Sequence, residues 1–156
     1  MFLQIDLDAD GFAEGLKLFE DELDRLMPEV LDGSLQAIAA TARELAPQGE
    51  TSELRNSILA LPITGQFSSE GLVGVVEAGA PHALPVEEGS VAHDIRPRYR
   101  LALRWPVEGG FRFARFVRHP GTAAQPFLEP ALRQEESAFL AEASAAVELA
   151  FSRSGL

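Results

Sequence analysis

Cysteine is absent from the 156 residues. Without a thiol the chain can form no disulfide framework, no thiolate zinc site and no cysteine nucleophile, which suits a reducing compartment. Lysine is nearly absent as well. Lys17 stands alone, and the other twelve basic side chains are arginine, the residue suited to bidentate pairing with carboxylates and to ordered interfaces. Bases are scarce as a class, 13 against 24 acids, for a formal net charge of −11. That balance argues against a general grip on nucleic acid through phosphate attraction, so any DNA contact is expected to be local or transient. No run approaches the roughly 18 apolar residues of a membrane span. The N-terminal residues 1–8 carry no basic region ahead of an apolar stretch, so the reading is of a soluble protein with no visible export signal and no membrane partner. Internal repeats and low-complexity tracts are missing too.

What remains is 46% apolar and 24% charged, enough for one ordinary domain, taken as 1–156, with a buried core. Its charge is distributed by segment. Residues 1–60 hold 13 acids and 4 bases, residues 61–94 hold 5 acids and no base, residues 95–120 hold 1 acid and 7 bases, and residues 121–156 hold 5 acids and 2 bases. One basic island, Arg96, Arg98, Arg100, Arg104, Arg112, Arg115 and Arg118, therefore sits in an acidic chain.

Apolar residues at Phe12, Leu16, Phe19, Leu23, Leu26 and Val30, then Leu31, Leu35, Ile38, Ala42 and Leu45, recur at steps of three and four, which predicts two helices after an N-terminal arm of residues 1–11. Asp10 suits an N-cap, Pro28 predicts a break or kink near Met27, and Pro47 closes the second helix after Ala46. Residues 57–63 and 72–78 read as two strands around the turn-rich residues 64–71. Residues 79–98 hold three prolines and two glycines and predict a long loop with at most one helical turn near Val86. Residues 99–105 alternate strictly and residues 111–118 nearly so, with Gly109 and Gly110 as a tight turn. That turn would pair Glu108 with Phe111, Leu103 with Phe116 and Arg104 with Arg115. Two like charges directly opposite on one face then need a carboxylate or anion between them. Leu132, Phe139, Leu140, Ala143, Val147, Ala150 and Phe151 predict a closing amphipathic helix with Pro130 in its first turn. The expected class is α+β: a small antiparallel sheet of about four strands, with the N-terminal helices and the long C-terminal helix packed on one face.

Catalytic chemistry finds no constellation. His82 and His93 fall in the loop, His119 is followed at once by Pro120 and Gly121, and no helical histidine pair with metal-ligand spacing occurs. Ser57 and Ser137 lack a nucleophile elbow. Glu87 and Glu88 are adjacent and would point apart in a strand. Gly109 and Gly110 are not followed by the lysine and helix of a phosphate loop. The expectation is a protein with no enzyme activity, no cofactor and no metal. His119, Pro120, Gly121 and Thr122 read instead as a corner: proline fixes φ, glycine permits a positive φ, and the imidazole or the Thr122 hydroxyl can hydrogen-bond freed backbone groups.

Three stretches taken together resemble one family. They are Ala42-Arg-Glu-Leu-Ala-Pro followed after a short gap by Leu54-Arg-Asn-Ser-Ile, then Val86-Glu-Glu-Gly-Ser, and then Val117-Arg-His-Pro-Gly-Thr-Ala-Ala-Gln-Pro-Phe-Leu-Glu-Pro-Ala-Leu. The last is similar to the hallmark of the small neck proteins, the tail-completion or head-tail joining proteins, of long-tailed double-stranded DNA phages. Ser90 stands where threonine is usual, Gln48-Gly49-Glu50 is extra, and Pro81-His82 replaces a common aromatic pair. The resemblance implies a structural virion protein, made in the host cytoplasm and located in the phage neck or tail. It implies a homo-oligomeric ring of six-fold or twelve-fold symmetry, contacts with neighbouring neck, connector and tail-terminator or tail-tube proteins, and a channel for the transient passage of double-stranded DNA. From the residues themselves, the arginine island is expected to contact acidic neighbouring subunits. Pro126, Phe127 and Leu128 are expected to anchor the last helix, with Phe127 or Leu128 buried. The alternative is a nucleic-acid-binding protein that uses the arginine and aromatic hairpin of residues 96–118 to hold phosphates and stack bases.

Overall fold

The computed structural model describes residues 9–49 and 51–156. They are α+β, and they fall into two compact units. One unit runs up to Ala80 and resumes at Phe127–Leu156; the other is Pro81–Pro126.

The first unit is built on two long helices, α1 (Ala9–Leu45) and α4 (Leu128–Ser154). The expected arm of residues 1–11 is helical from Ala9, and its first eight residues lie outside the described ones. Asp10 is accordingly in the first turn and not the N-cap, where its charge still favours the positive helix end. The expected break at Pro28 does not occur. An interior proline removes one backbone donor and costs about 3 kcal/mol, but α1 buries Leu23 and Met27 before it and Leu35, Ala39 and Ala42 after it. Breaking the helix would unseat one of these sets.

α1 and α4 run antiparallel. Arg153 meets Glu22 at 2.9 Å near one end, and the Thr41 hydroxyl donates to Glu135 at 2.6 Å towards the other. Ala39, Ala42, Ala131, Ala146 and Ala150 are all buried, so much of the shared core is alanine. Beside it, Leu23 and Met27 pack with Ala146 and Ala150, and Phe19 meets Phe151 edge to face at 6.4 Å. Pro130 lies in the first turn of α4, where its missing N–H has no intrahelical acceptor to lose.

Glu22 also accepts from Arg25 at 2.8 Å. Arg25, and after it Arg153, hold the Glu22 carboxyl down at about 2, from 4.5. A carboxylate with a lowered folded-state pKa contributes stability above its unfolded value, and that contribution is lost as pH falls towards the folded one. Glu22→Gln is therefore expected to melt below the parent at neutral pH, with the difference vanishing between about 4.5 and about 2. A difference that is constant across that window in thermal melts would assign the effect to packing.

After α1 ends, Arg55 on the short helix α2 (Glu53–Asn56) donates to the Ala46 carbonyl at 2.8 Å, and Arg43 donates through Nε and Nη2 to the Ile58 carbonyl at 3.0 and 2.6 Å. Hydrogen bonds from a charged donor contribute about 1.5–3 kcal/mol each. They fasten the start of the sheet to the end of the helix. β1 (Ile58–Ala60) pairs with β4 (Val76–Ala78), and within their connection β2 (Thr64–Gln66) pairs with β3 (Gly71–Val73). Between the two ladders, residues 61–63 face only Gly74 and Val75, a bulge that falls at Pro62, which has no N–H to offer. Gly74 lies close to α1: a Cβ there would stand 2.6 Å from a terminal methyl of Leu35, which would have to shift.

The second unit holds α3 (Ala83–Glu87), β5 (His93–Ile95), β6 (Leu103–Val107), β7 (Gly110–Ala114) and β8 (Val117–His119). α3 is the helical turn expected near Val86. β5 was not expected: the long loop of residues 79–98 contains a strand, because its partner β8 lies more than twenty residues further on and local pattern carries no signal of it. The single four-stranded sheet is replaced by four two-stranded antiparallel ladders.

Candidate interface: an exposed arginine and aromatic surface

The stretches Val86–Ser90 and Val117–Gln125 of the second unit lie side by side through their backbones. Ser90 and Thr122 exchange both hydrogen bonds, at 2.9 and 3.0 Å, and the Gln125 N–H donates to the Val86 carbonyl at 2.8 Å. Gly89 and Gly121 have positive φ, +77° and +93°, and a Cβ on either would press into the opposing backbone, at 2.8 Å from the Thr122 oxygen and 2.4 Å from the Ser90 oxygen. His119 Nδ1 accepts from the Gly121 N–H at 3.1 Å. Accepting at Nδ1 puts the proton of the neutral ring on Nε2. His93 is the direct cross-strand partner of His119, and the two rings stack with centroids 5.1 Å apart.

The hairpin β6–β7 has a different register from the one expected. Val107 pairs with Gly110, Trp105 with Arg112, Arg104 with Phe113 and Leu103 with Ala114. The turn is thus Glu108–Gly109, with Gly109 at φ +83°. A turn with one positive φ, at its second central residue, matches type II, whereas the Gly109–Gly110 turn expected from sequence suits the doubly positive type I′. The consequence is chemical. Arg104 faces Phe113, not Arg115, and its guanidinium lies over Phe111 at 3.6 Å, so the expected clash of two arginines does not arise. Residues 99–102 are not strand, and the expected strand of residues 111–118 divides at Arg115 into β7 and β8, which pair with different partners.

All seven arginines of the island, Arg96, Arg98, Arg100, Arg104, Arg112, Arg115 and Arg118, are exposed. Arg96 is 3.8 Å from Asp94 and reaches over Phe116; Arg118 is opposite Asp94 in the ladder. Arg98, Arg100 and Arg104 border one open concavity of about 410 Å³ together with Tyr99. Arg104 and Arg112 point to opposite faces of the hairpin, because their ladder partners are successive residues.

The aromatics depart from the usual pattern of strands. Alternating aromatics on strands usually pack inward, yet Phe113 is 66% and Phe111 52% exposed on β7, and Tyr99 and Phe116, outside the strands, are 94% and 55% exposed. Among the described residues of Pro81–Pro126, Ala83 is the one that is buried. This segment carries 7 bases and 4 acids (+3), while the remainder of the chain carries 6 bases and 20 acids (−14). Among the described residues no group of three or more His, Asp or Glu is gathered as a metal site.

The chain matches no family model, no curated protein and no solved structure. Its site is therefore defined by its own geometry: a basic, aromatic, almost coreless unit on an acidic chain. Of the residues singled out from sequence, the structure gathers His119, Pro120, Gly121 and Thr122 at one corner and spreads the arginines over several edges. Pro126 is exposed, Phe127 is buried and Leu128 is half-buried. Arg43 and Arg55 act as structural clamps, and both fall inside the stretches Ala42–Pro47 and Leu54–Ile58. For Arg55 the signal is a helix end just before it whose free carbonyls need donors; Arg43 reaches a strand carbonyl, that of Ile58, which no local pattern indicates.

Proposed function

We propose that this chain is a noncatalytic ring subunit of the head-tail joint of a long-tailed phage, a neck or tail-completion protein that contributes to the channel for DNA. The observation that carries this reading is the exposed arginine and aromatic surface on a unit with almost no core of its own. A segment of this size, without disulfides, gains stability mainly by association. A unit at +3 in a chain whose remainder is −14 finds a complementary surface on another copy of the chain or on an acidic neighbour. The motif resemblance from Val117 to Leu132 supplies the biological setting. An acidic remainder also suits a channel that must release DNA and not hold it, since phosphate contacts dominate affinity.

Charge reversal tests the proposal. Arg104→Glu with Arg115→Glu is expected to leave the far-ultraviolet circular dichroism unchanged and to abolish incorporation into particles. Incorporation at parental level, or a single copy per mature particle, would overturn it. A second reading, nucleic-acid binding, draws on the same exposure of aromatics beside arginines. A salt titration with a DNA oligomer separates the two: affinity falling steeply with salt favours the second reading, and no binding at low salt removes it.

A further inference from the structure

The first unit has an apolar groove of about 300 Å³ that the fold leaves open. It is lined by Leu35 and Ile38 of α1, Gly74 and Val76 of the β-sheet side, and Leu128 and Leu132 of α4, with Glu129 at its edge. Leu132 is 55% exposed there. The second unit offers the converse shape. On one face of the hairpin β6–β7, Phe113 stands 66% exposed beside Arg104, which covers Phe111. Aromatic side chains and arginine are enriched at the centres of interfaces, where well-packed, desolvating pockets receive them.

We infer that Phe113 of one copy seats in the Leu35, Ile38, Val76, Leu128 and Leu132 groove of a second copy, the arginines of the hairpin lying against the acidic unit around it. This deepens the ring-subunit reading and rests on it. Two observations choose a second copy as the occupant, and the geometry of the contact would agree with them. The hairpin unit carries +3 and the groove unit belongs to the −14 remainder. The hairpin unit has one buried residue among those described, so it has much apolar surface still to cover. The contact is also heterologous, joining two different patches of one chain, which is the type of interface that propagates round a closed ring. Gly74 contributes by its small size: a side chain in its place would push into Leu35 and fill the floor of the groove.

The absence of native cysteine makes the test clean. Phe113→Cys with Leu132→Cys, both at exposed positions, is introduced in one chain and oxidised within assembled particles. The expected result is a ladder of disulfide-linked multimers, with the 113–132 peptide pair identified by mass spectrometry and either single variant giving no ladder. Several copies per particle without a ladder would overturn the groove and leave the ring standing; a single copy per particle would overturn both. An intrachain disulfide, or a cross-link from position 113 to a different protein, would assign the hairpin another seat and overturn the proposal. As an independent measure, Phe113→Ala is expected to be out-competed by the parent chain for incorporation by about 30-fold or more, the size of a hot-spot loss. Equal incorporation would overturn the anchor role of Phe113.

Discussion

Phe127→Ala lowers the stability of the protein by about 3–5 kcal/mol, the cost of deleting a large buried aromatic and leaving a cavity. Phe127 and Ile58 are the largest fully buried side chains among the described residues, and Phe127 occupies the N-cap position of α4. The side chain sits where the chain returns from the second unit into the long helix, and Ala131, one turn on, is also fully buried. The start of the helix therefore cannot easily collapse into the hole, because its own backbone is held by packing on that side. For a chain of this length each kcal/mol moves the midpoint by about 2–4 °C, so thermal melts followed by circular dichroism are expected to fall by roughly 6–20 °C. Leu128→Ala, at a half-buried neighbour, is expected to cost less than half as much. Equal melting of the Phe127→Ala variant and the parent would refute the anchoring role.

Gly121→Ala is expected to open the corner of the second unit. Its φ of +93° costs an L-residue about 1–2 kcal/mol, and a Cβ would stand 2.4 Å from the Ser90 oxygen and 3.1 Å from the Ala92 nitrogen. Both neighbours are backbone and cannot rotate away. Ser90 and Thr122 must part, losing two hydrogen bonds worth about 1 kcal/mol each. Hydrogen exchange at the Ser90 and Thr122 amides is expected to accelerate roughly 100-fold. Gly109→Ala supplies the control: its φ is +83° with open space where the Cβ would go, so it carries the strain without the clash. Equal exchange at Ser90 and Thr122 in the two variants would remove the steric account.

The helices were legible because their signal is local. A stripe at steps of three and four from Phe12 to Leu45 says helix whatever surrounds it, and Pro130 at the start of α4 and Pro47 after α1 act within one turn. Pro28 misleads for the same reason. Its cost is local, but the burial of Leu23, Met27, Leu35 and Ala39 that offsets it depends partly on α4, about a hundred residues away in the chain. The arginine island and its aromatics were visible as composition; the face each one occupies was not. A turn that moves by one residue shifts the pairing by two, which carried Arg104 from Arg115 to Phe113 while leaving the alternation intact.

By itself, then, the sequence determined the α+β class, the helical character of both ends of the chain, the helical turn near Val86, the existence of the arginine hairpin and the segregation of its positive charge from an acidic chain. Each follows from neighbours within a few residues or from simple counting. Tertiary structure alone decided that α1 continues through Pro28, that His93 finds its strand partner at His119, that four small ladders replace one sheet, and that the hairpin aromatics face outward. These depend on pairings between residues far apart in the chain, whose free energy comes from burial and backbone hydrogen bonding after the loop between them has closed, and no local pattern records which distant segment will be there.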